Sequence, residues 1–287
     1  MSPTKGRTDS FFVVGAGRVG TGLAVALSRH LPLLGTWNRS PAGARRSRRL
    51  TGAPASAGRF PRRMRQARWV FLTVPDDALA EVAATLAAEG RIGAGQRVVH
   101  MSGASSLSVL DAARRVGAEV GSLHPLRAFA DPKRAAAAFE GALAVVAGEA
   151  AVARGLRRIA RLLGMRPVAL PDDPQVRALY HAGAVSAAGG VVTLLALALE
   201  ALEAAGIEAR AALPGLLSLA RGSLDALERT ADPRTALTGP VARGDRRVVE
   251  AHLRAMETLP EASRALYRAL IRRSLALVGE DPNAWNL

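Results

Sequence analysis

Phe11-Phe12-Val13-Val14-Gly15-Ala16-Gly17-Arg18-Val19-Gly20-Thr21-Gly22-Leu23-Ala24 is the stretch on which the reading of this chain turns. Four apolar residues closed by a glycine read as a short buried strand. Val19, Leu23, Ala24 and Leu27 then recur at helical spacing, and the helix should stop near His30, before Pro32. Between strand and helix lies a G-x-G-x-x-G pattern. Its first glycine permits a tight turn, its second lets backbone approach a pyrophosphate, and its third lets helix and strand pack closely. Backbone N–H groups at the helix start then face the phosphates. Gly15, Ala16, Gly17, Arg18, Val19 and Gly20 are therefore expected to cradle a dinucleotide. A purely structural glycine turn is the alternative, and the strand-and-helix context weighs against it.

Working outward, apolar runs follow at Leu33 to Trp37, Trp69 to Val74 and Val98 to Met101, with helical segments at Pro41 to Leu50 and Asp77 to Ala88. The alternation continues through runs at Glu119 to Leu123, Leu143 to Ala147 and Arg166 to Leu170. Strands alternating with helices imply parallel strands joined by right-handed crossovers, an α/β doubly wound Rossmann domain. Beyond Asp172 the pattern becomes long Ala/Leu-rich helical segments at 175–205, 209–230, 245–257 and 261–278. The boundary is expected at Pro171-Asp172-Asp173-Pro174, dividing the chain into a nucleotide-binding domain over 10–171 and an all-helical C-terminal domain over 172–287.

Composition narrows the classes. The 287 residues are 49% hydrophobic and 22% charged, which suits a globular protein of one large or two medium domains. There is no cysteine, which excludes disulfides, thiolate metal sites and cysteine nucleophiles, and no metal site is expected. Residues 1 to 10 are polar with no apolar segment behind them, so a cytoplasmic chain without a secretory signal is expected. Ala182 to Leu199 runs without a charge and touches the lower length for a membrane span. It is rich in Ala and Gly, and a buried core helix is expected in place of a span. The net charge of +15 is almost wholly arginine. It raises a nucleic-acid reading, against which stand the spread of the arginines and an aromatic content of only 4%. The densest cluster, from Arg45 to Arg68, reads mostly as a solvated helix face and loop.

Cofactor choice is read at the end of the second strand, where a carboxylate would bond the ribose hydroxyls of NAD. Here stand Asn38, Arg39 and Ser40. Arg39 can pair with a 2′-phosphate and Ser40 can donate to it, so NADP is expected. Val74, Pro75 and Asp76 end the third long apolar run and would turn the chain beside the nicotinamide; a plain turn with Asp76 or Asp77 as N-cap is the other reading. Ser102 and His124 fall just past strand ends, where open α/β sheets bind ligands. His124 titrates near neutrality and suits a general acid. Ser102 is a candidate both for catalysis and for touching the cofactor. His181, at the start of the charge-free segment, is a third catalytic candidate, with capping or packing as its alternative. Thr238 and Arg243, in a Gly/Pro loop, are candidates for an anionic substrate; a loop leading into a helix capped by Asp245 is the alternative.

These pieces together resemble the Rossmann-like oxidoreductases that carry a C-terminal domain of unknown function 2520, within the 6-phosphogluconate dehydrogenase-like superfamily. The resemblance rests on the Gly15-to-Gly20 fingerprint, Thr73-Val74-Pro75-Asp76, Val99-His100-Met101-Ser102-Gly103-Ala104, His124-Pro125-Leu126, Tyr180-His181-Ala182 and Leu237 to Asp245. It covers nearly the whole chain and implies an NADP-binding domain and a helical domain that usually dimerises. The superfamily includes ketopantoate reductases, pyrroline-carboxylate reductases and prephenate dehydrogenases, and the placement of Ser102 and His124 is similar to a serine and histidine that the last of these use on substrate. Where the resemblance leads one to expect Ser-Asn in the long helix, this chain has Ala188-Gly189. The implied activity is hydride transfer between NADP and a small 2-oxo acid or imine. A non-catalytic NADP sensor is the alternative, raised by the missing amide.

Overall fold

The computed structural model describes residues 9–129 and 135–285. The polar residues before Asp9 lie outside this range, as does Lys133. The chain divides into two compact units between Val185 and Ser186, later than the boundary expected at 171/172. The reason is that the helix following Pro171 packs with the sheet, through a buried arginine described below.

The first unit is built on one eight-stranded sheet, in the order β3-β2-β1-β4-β5-β6-β7-β8. The strands are β1 (Phe11–Val14), β2 (Leu33–Asn38), β3 (Ala55–Ala57), β4 (Trp69–Leu72), β5 (Arg97–His100), β6 (Glu119–Leu126), β7 (Leu143–Gly148) and β8 (Arg166–Ala169). The first six follow the doubly wound order, with the reversal at β1 and β4. The expectation of a wholly parallel sheet needs correction, because β7 runs antiparallel to β6. β8 then resumes parallel to β7.

Side chains along each strand alternate between two apolar layers. Phe11, Val13, Trp69 and Phe71 enter one cluster with Leu23 and Leu27 of α1 (Arg18–Leu27), and with Leu156 and Ile159 from farther along the chain. Phe12, Val14, Val70 and Leu72 enter the opposite cluster with Leu79 and Leu86. A sheet buried on both faces needs near-continuous apolar strands, which is why those runs were so legible. The remaining helices of this unit are α2 (Pro41–Thr51), α3 (Leu79–Ala88), α4 (Asp111–Arg115), α5 (Ala150–Leu162) and α6 (Pro174–Val185).

The second unit is helical throughout: α7 (Val191–Ala204), α8 (Ala209–Thr230), α9 (Pro233–Ala236), α10 (Arg246–Met256) and α11 (Glu261–Val278). Its own core is small and consists of Val241, Val249, Ile271, Leu275 and Trp285. α6 and α7 are joined through a π-helical turn, Ser186–Gly190, which contains Ala188 and Gly189. The resulting helix, Pro174–Ala204, is long and apolar enough to cross a membrane by length and composition alone. It is not the buried core helix that was expected, for only 6% of its most apolar window is covered by this chain. Val192, Leu219 and Leu224 are likewise exposed, at 68%, 70% and 56%.

Close packing of α5 on the sheet generates a direct test. A Cβ at Gly155 would stand 2.6 Å from two carbons of the Trp69 indole. That ring is itself pinned, with the Arg97 guanidinium 4.8 Å above it. Gly155→Ala is therefore expected to destabilise the protein by about 1–3 kcal/mol through overpacking, in spite of alanine's better helix propensity. Thermal unfolding measures it, and an unchanged or raised Tm would contradict the packing described.

Candidate functional site

The glycine turn sits at the sheet's switch point. Gly15 takes φ +92°, a left-handed conformation that side chains disfavour. Thr73 closes the turn from β4, its Oγ1 lying 2.8 Å from the Gly15 carbonyl oxygen and 3.1 Å from that of Val14. A Cβ at Gly20 would meet that same Oγ1 at 2.2 Å. The first and third glycines are thus required by the chain itself. Gly17 is different: its φ is negative, and a Cβ there would meet nothing closer than the Gly15 carbonyl at 3.8 Å. Among the described residues no contact calls for glycine at 17, whereas a ligand lying against the backbone would.

Asn38 ends β2 and donates Nδ2–H to the carbonyl of Ala16 at 2.9 Å, tying the second strand to the turn. Its Oδ1 is buried without a partner and is an acceptor awaiting a donor such as a ribose hydroxyl. Ser40 caps α2 by accepting the Gly43 N–H at 3.2 Å, which leaves its own O–H as a donor. Arg39 and Arg18 are exposed, and their side chains have no partner among the described residues. Val19 follows Arg18 in the first turn of α1. The geometry fits a dinucleotide pyrophosphate over Gly17, with a further anion near Arg39 and Ser40.

Val74 packs against Gly15, its Cγ1 lying 2.7 Å from where a Cβ would stand there. Pro75 and Asp76 follow. Asp76 and Asp77 make no capping hydrogen bond, and the residue at the N-cap is Pro75. The Asp76 carboxylate is exposed and faces His124, whose proton affinity it raises.

β6 runs four residues beyond β5. Its pairing with β5 ends at Ser122, while Leu123 to Leu126 pair with β7 alone. His124 sits on this extension, and Pro125 is tolerated there because the strand has one neighbour. Tyr180 and His181 come from α6. The Tyr180 hydroxyl lies 2.6 Å from His124 Nδ1. A Cβ at Gly103, in the loop after β5, would stand 2.9–3.0 Å from His124 Cε1 and Nε2 and from His181 Nδ1. Both imidazoles therefore crowd one glycine, and His181 Nδ1 is buried with no partner.

Two sequence-based roles change on this geometry. Burial, reinforced by the neighbouring His181 and by Arg177, holds His124 down to about 4, which favours the neutral imidazole over the imidazolium at physiological pH. Burial also raises the Tyr180 phenol to about 12. Ser102 is the second. Its Oγ accepts the N–H groups of Ala104 at 3.1 Å and Ser105 at 2.9 Å and donates to Ser105 Oγ at 3.0 Å. That hydroxyl is consumed in shaping the loop.

Sequence reasoning missed Tyr180 as a partner, and it missed Arg177 altogether. The Arg177 guanidinium is 1% exposed and bonds Asp172 Oδ1 and Ser122 Oγ, each at 2.8 Å. Beside them His100 is buried and held down to about 3, first by desolvation and then by Arg177. Its Nδ1 accepts the Ser102 N–H at 3.2 Å, and Nε2 has no partner. Thr238 and Arg243 belong to the second unit. Thr238 lines an open groove of about 550 Å³ with Gly215, Ser218 and Gly222 of α8. Arg243 pairs with Asp245 at 2.9 Å, so Asp245 spends its carboxylate there and makes no capping bond to α10. Among the described residues no group of three or more His, Asp or Glu side chains is placed to hold a metal ion.

Comparison with known proteins agrees with this architecture. No curated protein sequence matches the chain. Among solved structures it is similar to BF3122 of Bacteroides fragilis, named provisionally as an NADP oxidoreductase, at 23% identity, covering 93% of this chain and 98% of that one with a TM-score of 0.71. An imine reductase of Streptomyces aurantiacus matches at 18% identity over 96% of this chain and 98% of its own, TM-score 0.62. A reductive aminase of Aspergillus terreus, solved with NADPH and ethyl levulinate, matches at 18% identity over 97% and 98%, TM-score 0.63. At such identities the likeness establishes the fold. Family models match residues 5–125 as a Rossmann-like domain and residues 142–274 as a domain of unknown function, DUF2520, and the chain belongs to the proteins that join these two.

Proposed function

We propose that the protein is an NADPH-dependent reductase of small C=N or C=O compounds. The observation that carries this is the Tyr180–His124 pair, set at 2.6 Å beside the unpartnered Nδ1 of His181, on the same strand edge as the glycine turn. Support for the coenzyme comes from the open face of Gly17, the orphaned Asn38 Oδ1 and the unpaired Arg39. It comes also from the NADPH held by the similar reductive aminase. When bound, NADPH supplies the hydride. Gly15 to Gly20 hold its pyrophosphate, Asn38 accepts from the adenosine ribose, and Arg39 and Ser40 take the 2′-phosphate. Val74, Pro75 and Asp76 flank the nicotinamide end.

The chain's own chemistry is a proton relay. With both groups neutral, the Tyr180 phenol donates to His124 Nδ1, which leaves Nε2–H as the donor presented to substrate. A neutral imidazole polarises a C=N or C=O in this way without being charged beforehand. His181 Nδ1 offers a second hydrogen bond. The carboxylate that acts on His124 is Asp76, which would repel an anionic 2-oxo acid and attract the positive charge that grows on an imine nitrogen. An imine is thus favoured over a 2-oxo acid.

We further infer a homodimer. The apolar helix and the exposed Leu219 and Leu224 leave a surface that a second copy would cover. Light scattering on purified protein should give twice the chain mass, and Leu219→Asp with Leu224→Asp should give one. A monomeric wild type at micromolar concentration would refute this, and recovery in the membrane fraction would assign the helix to a bilayer.

Two further outcomes are expected. Gly17→Ala should weaken NADPH binding at least about tenfold with an unchanged Tm. Arg39→Ala should weaken NADPH binding by about 1–3 kcal/mol while sparing NADH. Calorimetry measures both, and equal losses for the two coenzymes would remove the 2′-phosphate assignment. For turnover, Tyr180→Phe and His124→Asn should each lower kcat by about 10²–10⁴ on a panel of cyclic imines, ketones and 2-oxo acids. In the wild type kcat/KM should stay flat from about pH 5.5 to 8, because His124 is already neutral there. A fall in rate through about pH 6.5 would restore an imidazolium donor. Tight NADPH binding without turnover of any substrate would make the protein a sensor.

A further inference from the structure

We propose that Arg177 is the positioning residue of the Tyr180–His124 pair, and that its buried charge makes the phenol, not an imidazolium, the source of the transferred proton. The inference rests on the reductase reading above.

The geometry is that of a junction. Arg177 lies on α6, three residues before Tyr180 and four before His181, so the three side chains share one side of the helix. Its terminal nitrogen donates to Ser122 Oγ on β6, the strand that carries His124. Its Nε donates to Asp172, and both carboxylate oxygens of Asp172 accept the Leu107 N–H, at 3.0 and 3.1 Å. Leu107 closes the loop that holds Ser102 and Gly103. One guanidinium therefore links the helix that carries Tyr180 and His181, the strand that carries His124 and the loop that carries Gly103. Stability is a poor reason for such an arrangement, since a buried ion pair is often replaced by apolar residues at no loss.

Its field explains more. The groups facing His124 are Tyr180, His181 and Arg177 from α6, Asp76 from the turn after β4, and His100 from β5. Of these Asp76 favours a proton on His124, while His181 and Arg177 oppose it. Arg177 acts in the same sense on Tyr180, where disfavouring the proton means favouring the phenolate. As the Nε2–H bond of His124 breaks and its proton goes to the substrate nitrogen or oxygen, Nδ1 takes the proton of the Tyr180 hydroxyl. The imidazole ends neutral, as it began, and the charge left on the phenolate oxygen is stabilised by Arg177 until water returns the proton. The electron pair that completes the reduction is the coenzyme's hydride.

Nitrogen-15 imidazole NMR of the full-length protein, with His124→Asn for assignment, reads the imidazole directly. Near-ultraviolet tyrosinate absorbance reads the phenol, and the chain has only two tyrosines, so Tyr180→Phe assigns it. Arg177→Met is expected to raise the titration midpoints of both His124 and Tyr180 by about one pH unit. Arg177→Lys, which keeps the charge, should return both toward wild type. Should Arg177→Met fail to fold, Asp172→Asn serves, because it keeps the guanidinium and removes its counter-charge; the Tyr180 midpoint should then fall by about one pH unit. Folded variants whose midpoints match wild type would overturn the proposal and leave the reductase reading intact. Shifted midpoints in a protein that reduces nothing would do the reverse for the reading, while upholding Arg177's hold on the pair.

Discussion

The arrangement depends first on how closely the backbone passes itself at the glycine turn. The Thr73 hydroxyl reaches two carbonyl oxygens of the turn and occupies the space where a Gly20 side chain would stand. β1, β4 and the start of α1 are thereby drawn together at the point where strand order reverses. Residues beyond Thr73 have no choice but to emerge beside the turn. This is why Val74 packs on Gly15 and Asp76 comes to face His124.

Against that rigid edge stands a set of polar groups that water has largely left. His100, Ser122 and Arg177 are all buried, and the desolvation that depresses both His100 and His124 is the same cost that keeps the pair uncharged. Among the described residues only Asp172, with its side chain one-third exposed, brings a compensating negative charge to the guanidinium. A site built this way is electrostatically preorganised before any ligand arrives.

Much of the fold was legible because a sheet covered on both faces writes itself as apolar runs, and the glycine turn could be placed from its flanks. β3 left no such trace, being three small residues, Ala55-Ser56-Ala57, at a sheet edge. The direction of β7 was hidden too, since an apolar run reads the same for a parallel or an antiparallel strand. In the site, His124 and His181 stand against one glycine, but the burial that lowers the proton affinity of His124 cannot be counted from a tripeptide. Ser102 looked reactive until its hydroxyl was seen to be shared among three loop groups. Arg177 and Tyr180 were within reach: an arginine three and four residues before a Tyr-His pair, just after Asp172, marks one helix face. The charge-free helix was misread since the same composition serves a core, a bilayer and a surface that one chain leaves bare.

The strand extension that carries His124 has an evolutionary corollary. Ser122 and His124 point the same way because side chains repeat every second residue along a pleated strand. Insertion or deletion of a single residue between them would send one of the two to the far side of the sheet. Drift in chain length is therefore forbidden within Ser-x-His, however freely the surrounding loops grow or shrink. Related chains that keep this spacing together with Arg-x-x-Tyr-His are the ones to group with this protein, ahead of any ranking by percentage identity.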